Sequence, residues 1–412
     1  MKPIPRKTPQ AVYIRAVNRA GTLLGERVPS LSPEILQQRA RRKTGLEDFG
    51  DPEFLAGLQQ LADGLEHEAS LSPVGRIVAR FNLVDHLCVR LRLIEYRKRR
   101  AQVSDQQITR PLFILGLPRT GTTILYELIA QDPSMRAPSS WEVTSPLPPP
   151  QTSSYLSDRR IRRVGALLPI LEKLTPGFRT IHAVGAQLPQ ECVYLLASHF
   201  LSEQFSYMYH LPSYRRWLLQ QDMHGSYRWH RQFLQHLQVD CAAEHWVLKS
   251  PAHLPHLQTL LDTYPDAGIV WTHRKPLQAM ASFSSLTTTL QAGFSHRVDP
   301  AGNGQLEMEH HGHATRMAMA QRDQVGDEQM QILDISFRSI CDDPLTVIEA
   351  IYQRFGYTLS DEAARRMRSY LAARPRHLYG RHRYSAKEFG LDSAAEEKFF
   401  GQYLARYGTY LG

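Results

Sequence analysis

The decapeptide ILGLPRTGTT, Ile114 to Thr123, joins an apolar run to glycines at Gly116 and Gly121 and closes on two hydroxyl residues. Both glycines fit the phosphate-binding pattern G-x-x-x-x-G-K-[ST], but Thr122 stands in the lysine slot and the nearest cation, Arg119, lies inside the loop. Glycines let a backbone approach an anion closely, and amides opening a following helix point at it with the positive end of the helix dipole. Arg119 would add a full charge and a bidentate fork. Two further cations close apolar runs, Lys249 in HWVLK and Arg274 in AGIVWTHR. Each alone reads as a surface cap. Together, at the carboxyl ends of strands in one parallel sheet, they converge where such sheets bind ligands, which points to the phosphates of a nucleotide. ATP hydrolysis is disfavoured: it needs the loop lysine and an acidic strand end for Mg²⁺, and the last strand candidate carries its only acid, Asp334, within the run.

The elements that must position these groups follow from periodicity. From about Ser32 to Arg100, apolar residues recur at three and four, giving a helical preface. Residues 110–116 switch to a short β run, and TTILYELIAQDP reads as a helix of about three turns that closes at Asp132-Pro133. Residues 136–154 are too rich in proline for either regular element. Helices are expected over 158–174, 190–202 and 214–238. The strand ending at Lys249, the helical HLPHLQTLLDTYPD and the strand ending at Arg274 make a βαβ unit, since parallel pairing requires such a crossover. A last strand is expected over 330–337, then helices over 344–355 and 361–373. No internal repeat interrupts this order. The expected fold is α/β, a P-loop-type three-layer fold with a central, mostly parallel sheet, an N-terminal helical region and helical insertions. The expected division is an N-terminal helical region over 1–105 packed on a core domain over 106–412.

Composition limits the function classes. The chain has 412 residues, 42% of them hydrophobic, and a net charge of +9, with basic clusters around Lys98 and from Arg374 to Tyr384. Such clusters suit phosphate-bearing ligands, but no basic stripe interleaved with aromatics is present, so a nucleic-acid partner is not expected. Cys88, Cys192, Cys241 and Cys341 are far apart and form no C-x-x-C pair, as buried thiols in a reducing compartment would be. No apolar stretch approaches the ~18 residues of a membrane span, and the N-terminus lacks a continuous apolar leader. A cytoplasmic protein without stable membrane insertion is expected.

Four segments, FILGLPRTGTTILYELIAQDP, WVLKSP, THRKPLQAMAS and RHRYSAKEFGL, resemble the sulfotransferases that use 3′-phosphoadenosine-5′-phosphosulfate (PAPS), most closely a bacterial branch with a PRxGTT loop, which is related to the protein-tyrosine sulfotransferases. WEVTSP and PQECVYLL extend the resemblance to most of the chain from about residue 30. The resemblance implies PAPS as co-substrate, sulfation of a hydroxyl or amine, and no metal. Carried across, Arg119, Thr120, Gly121, Thr122 and Thr123 correspond to the 5′-phosphosulfate loop, Lys249 to the lysine that touches the transferring group, and Arg274 with Ser282 to the pair that binds the 3′-phosphate. Ser282 would lie about two turns into the helix after the arginine, at ~1.5 Å per residue. Gly380, Arg381 and His382 correspond to the loop that closes on the 3′-phosphate and adenine. Glu142 occupies the position of the catalytic glutamate in the tyrosine-directed relatives, with Glu191 and His182 as rival bases.

Other features stand outside that set. His310, His311 and His313 suggest a solvent-exposed or acceptor-lining turn ahead of a metal clip, and His253 and His256 suggest packing or capping. The aromatic stretch FLSEQFSYMYHLPSYRRWLL either packs in the core or walls an apolar acceptor pocket; in the second case the acceptor is a small-molecule or lipid-like alcohol. The alternative activity is that of a P-loop nucleotide or small-molecule kinase, which would share the fold.

Overall fold

The computed structural model describes residues 29–326, 330–374 and 384–411. The preface forms α1 (Pro33–Thr44), α2 (Phe54–His67) and α3 (Pro73–Arg99). Pro33 and Pro73 sit in the first turns of α1 and α3, where the missing N–H costs nothing, and the Ser72 hydroxyl caps α3 by accepting from the Gly75 amide. Beyond them come β1 (Leu112–Gly116), α4 (Thr122–Ile129), β2 (Met135–Arg136) and α5 (Ser140–Thr144). A helical stretch follows, with α6 (Arg159–Gly165), α7 (Leu168–Leu174), α8 (Phe178–Ile181), α9 (Cys192–Leu196), α10 (Gln204–Met208), α11 (Pro212–Leu218) and α12 (His224–Gln238). The chain then returns to the sheet as β3 (His245–Lys249), α13 (Leu257–Thr263), β4 (Gly268–His273), α14 (Pro276–Phe294), α15 (Pro300–Val325) and β5 (Ile332–Ser336), and ends in α16 (Phe337–Asp342), α17 (Pro344–Phe355), α18 (Asp361–Ala373) and α19 (Ser393–Tyr407).

Among the described residues the five strands are all parallel, in the order β2-β3-β1-β4-β5. Side chains alternate across the sheet, as strand geometry requires. Phe113, Leu115, Leu248, Ile269 and Trp271 join the large core cluster on one face, while Leu112, Ile114, Val247 and Val270 join the cluster formed with α4, α17 and α18 on the other. The result is three layers. Residues of α1–α3, among them Leu36, Leu58 and Leu87, are fully buried within that same large cluster, so the preface shares its core with the sheet. Register sets the functional rim: Lys249 lies level with Ile114, Gly116 with Thr272, and His273 with Ser336.

Several elements differ from the sequence expectation. The proline-rich segment holds a short helix, α5, because Ser139 and the Glu142 side chain form a capping box at its start. Residues 135–136 form an edge strand too short to show a period. The helix expected over 158–174 is two helices, with Pro169 in the first turn of the second. The helix expected over 214–238 begins at Pro212 and breaks between Leu218 and His224, and that over 190–202 is the one-turn α9 followed by a 3₁₀ turn. The loop helix α4 has eight residues, about two turns. The histidine cluster is no turn: it lies within α15, which Asp299 caps and Pro300 opens. His310 and His311 are buried there, and only His313 is exposed. His310 Nε2 pairs with Glu203 at 2.7 Å. His253 and His256 are buried on a 3₁₀ turn after β3, as packing residues.

Candidate active site

The β1–α4 loop owes its shape to backbone that few residues tolerate. Gly116 has φ 142°, and a Cβ there would stand 2.5 Å from the Thr272 carbonyl oxygen; Gly121, the residue that caps α4, has φ 88°. Arg119 lies in the left-handed region at φ 70°, which for a non-glycine residue costs about 1–3 kcal/mol. The surroundings hold it there. Arg274 Nη1 donates to the Arg119 carbonyl at 2.9 Å, and Arg119 Nε donates to Ser282 Oγ at 3.2 Å. Thr120 is fully buried; its hydroxyl donates to the Leu117 carbonyl at 2.6 Å and stands 2.6 Å from that of Thr272, so it fastens the loop to β4.

No side chain caps α4, and no acidic residue lies in its first turn. Its opening residues Thr122, Thr123 and Ile124 face a cavity of about 490 Å³ that also receives Arg119, Lys249 and Arg274. Arg274 stacks over the Phe337 ring at 4.2 Å, and its Nε is buried with no hydrogen-bond partner among the described residues. Lys249 is 3% exposed and ion-paired with Glu191, with Thr123 Oγ1 at 3.5 Å. Burial lowers the Arg119 pKa, Tyr384 and Glu191 oppose that shift, and the neighbouring Arg274 adds to it.

The cavity has a second, apolar end. Phe178 and Leu171 from α8 and α7, Tyr207 and Met208 from α10, and Phe283, Leu286 and Leu290 from α14 wall it. The aromatic stretch therefore divides: Tyr207 and Met208 reach the cavity, whereas Phe200, Phe205 and Tyr214 are buried in the core.

The structure thus brings Arg119, Gly121, Thr122, Thr123, Lys249 and Arg274 to one cavity, with Ser282 behind Arg119. Gly380, Arg381 and His382 lie outside the described residues. Glu142 is not brought to the cavity. It is fully buried, ion-paired with Arg136, and accepts from the Ser139 amide at 2.7 Å and the Tyr155 hydroxyl at 2.8 Å. Glu191 and His182 do line the cavity. Burial, reinforced by Lys249 and Arg119, pushes the His182 pKa down to about 3, so this imidazole stays neutral. Asp334 is held by Arg322 at 2.9 and 2.8 Å and by His273 at 2.8 Å. Among the described residues, no group of three or more His, Cys, Asp and Glu side chains could hold a metal ion.

Sequence reasoning missed the apolar wall on α14. Phe283, Leu286 and Leu290 recur at three and four, which marks a helix face but not whether that face meets core or cavity.

A sequence profile of the sulfotransferase family matches residues 111–361, a span that runs from the start of β1 into α18. The chain belongs to the sulfotransferase family. It is similar to the sulfotransferase STF1 from Mycobacterium tuberculosis H37Rv, with 32% identity over 91% of this chain and 100% of that one and a TM-score of 0.81. It is also similar to the sulfotransferase STF9 from Mycobacterium avium, with 28% identity over 91% of this chain and 96% of the other and a TM-score of 0.82. No curated protein sequence matches it. Membership makes this sulfotransferase a transferase, and its rim of cations is the part of the fold suited to an anionic donor. None of its described helices is long and apolar enough to cross a membrane.

Proposed function

We propose that this sulfotransferase moves the sulfuryl group of PAPS to a hydroxyl, or an amine, of a small-molecule or lipid-like acceptor in the cytoplasm. The observation that supports it most is the convergence of Arg119, Lys249, Arg274 and the uncapped start of α4 on one cavity whose far end is apolar. The residues present fit such a donor: the Arg274 Nε has no partner among the described residues, and the φ of Gly116 and Gly121 shapes a loop that a phosphate can approach. When bound, PAPS supplies an activated sulfuryl group attached to a phosphate leaving group.

The protein's own contribution is positioning and charge. The loop amides and Arg119 would hold the 5′ end, and Arg274, with Ser282 beside Arg119, the 3′-phosphate. Lys249 and Arg119 would face the oxygen on which negative charge grows as its bond to sulfur breaks, and fixed donors in a dry site stabilise such charge strongly. Glu191 is our choice for the base, because it is the carboxylate that lines the cavity and touches Lys249. It would accept the acceptor's proton as the oxygen attacks sulfur in line, and the adjacent ammonium would steady both charges. Glu142 would instead fix α5 through Arg136 and Tyr155. The Phe178, Tyr207 and Phe283 wall would hold the acceptor body and exclude water.

A thermal-shift comparison tests the donor half. The desulfated product, 3′-phosphoadenosine-5′-phosphate, is expected to raise the melting temperature by mass action, with little response to ATP or ADP. A larger, Mg²⁺-dependent response to ATP would support the kinase alternative in its place.

A further inference from the structure

The stretch from Leu156 to Lys173 puts Leu171 into the apolar wall of the main cavity and exposes large apolar side chains to water. Leu156 is 79% exposed, Leu167 50% and Ile170 54%. Arg159, Arg162, Arg163 and Lys173 are exposed with them. Of the acids in the stretch, Asp158 is bound by Arg160, and Glu172 accepts from the Gly177 amide. α6 meanwhile turns Arg160 and Val164 inward, where Arg160 stacks over Trp141 at 4.6 Å. An apolar and basic outer surface on an anchored inner face is the pattern of segments that lie in a bilayer interface.

The space beneath continues that surface into the protein. A second cavity of about 460 Å³ opens against Leu168, Pro169 and Val184, with Glu172, Lys173 and Arg179 also on its wall. Leu171 and Phe178 line both cavities and so form the partition between them. Leu168 and Pro169, which line the second cavity, lie between the exposed Leu167 and Ile170 in the chain, so this cavity opens beside the exposed patch, and Leu171 and Phe178 separate it from the main cavity.

We propose that the α6–α7 face docks on an anionic lipid surface, from which the acceptor's hydrocarbon part enters by way of the second cavity. The positive charge of that face selects an anionic surface, and Leu156, Leu167 and Ile170 supply the insertion. The acceptor part of this inference rests on the main cavity being the acceptor site; the docking part does not depend on the identity of the donor.

The test is co-sedimentation of the full chain with phosphatidylcholine vesicles, with or without phosphatidylglycerol. Wild type is expected to bind the phosphatidylglycerol vesicles preferentially, less so at high salt. Arg162→Gln with Arg163→Gln is expected to weaken that binding by about 25-fold, and Leu167→Glu with Ile170→Glu by about tenfold or more. All four residues are exposed and outside the catalytic groups, so both variants should keep the wild-type thermal shift with 3′-phosphoadenosine-5′-phosphate. Wild-type binding that is absent, or that survives in both variants, would overturn docking through this face. Loss of self-association in the Leu167→Glu, Ile170→Glu variant with vesicle binding unchanged would also overturn it and make the patch a subunit interface. Vesicle binding without any nucleotide response would leave docking standing and refute the donor reading alone.

Discussion

Replacing Glu191 by Gln separates chemistry from binding at this site. The substitution keeps the shape and one hydrogen-bond acceptor but removes the charge that faces Lys249, whose side chain is 3% exposed against 18% for Glu191. Three consequences follow. A general base contributes about 10²–10⁴ in rate, so kcat should fall by that factor, about 3–5 kcal/mol of barrier. The Lys249 ammonium loses its counter-ion, so 3′-phosphoadenosine-5′-phosphate should bind as tightly as before or tighter. The fold should lose about 1–3 kcal/mol, less than the 3–5 of a fully buried pair, because the glutamine oxygen still accepts a hydrogen bond and solvent reaches the pair. Single-turnover transfer of labelled sulfate, nucleotide titration and urea denaturation measure the three terms separately. The control is Glu142→Gln. Its carboxylate is fully buried against Arg136, so losing the charge should cost about 3–5 kcal/mol of stability, while the protein that remains folded turns over near the wild-type rate. Wild-type turnover in Glu191→Gln, combined with a folded but inactive Glu142→Gln, would refute the assignment and return the base to α5.

Arg274→Ala should weaken binding of 3′-phosphoadenosine-5′-phosphate much more than that of adenosine-5′-phosphosulfate, which lacks the 3′-phosphate; equal losses in calorimetric titrations would remove Arg274 from that phosphate. Gly116→Ala places a Cβ 2.5 Å from the Thr272 carbonyl at φ 142°, so both nucleotide binding and the denaturation midpoint should drop, by about 1–3 kcal/mol in the latter, and an unchanged midpoint would contradict the packing described. Acid should destabilise the protein before its carboxylates titrate. Burial pushes His230 down to about 3, and His236 and His310 down to about 4, from an ordinary 6.5. Between pH 6.5 and about 4 the unfolded chain therefore binds protons that the fold refuses, and stability falls as pH falls, by about 1.4 kcal/mol per pH unit for each such histidine. Urea midpoints from pH 8 to 5 that stay flat would contradict this.

The rim was legible in the sequence because strand ends are local: an apolar run and the residue that closes it are read in one window, and Lys249 and Arg274 fall where that reading puts them. Glu191 and Glu142 could not be separated in this way. Glu142 lies in the first turn of the short α5 and Glu191 just before the short α9, and which one meets Lys249 depends on how the long helical stretch between β2 and β3 returns over the sheet. The capping box that holds Glu142 was written in the sequence, since Ser139 and Glu142 have the required spacing, but the high proline content masked it. The histidines of α15 failed for a related reason, because a polar run of buried residues shows no period when its partners, such as Glu203, come from other helices.

One helix ties the two halves of the site together. Ser282 accepts from Arg119 on the cationic side, while Phe283, Leu286 and Leu290 wall the apolar side of the same cavity. These positions fall in little more than two turns of α14, so the distance between the phosphate loop and the apolar chamber is set by helix geometry and not by a flexible loop. The apolar wall can then vary in size without moving the cationic groups. Leu290→Ala should enlarge the chamber and change which alcohols are sulfated while leaving nucleotide affinity unaltered. Leu290 lies two turns beyond Ser282, so any loss of nucleotide affinity in that variant would show that the helix does not hold the halves rigidly.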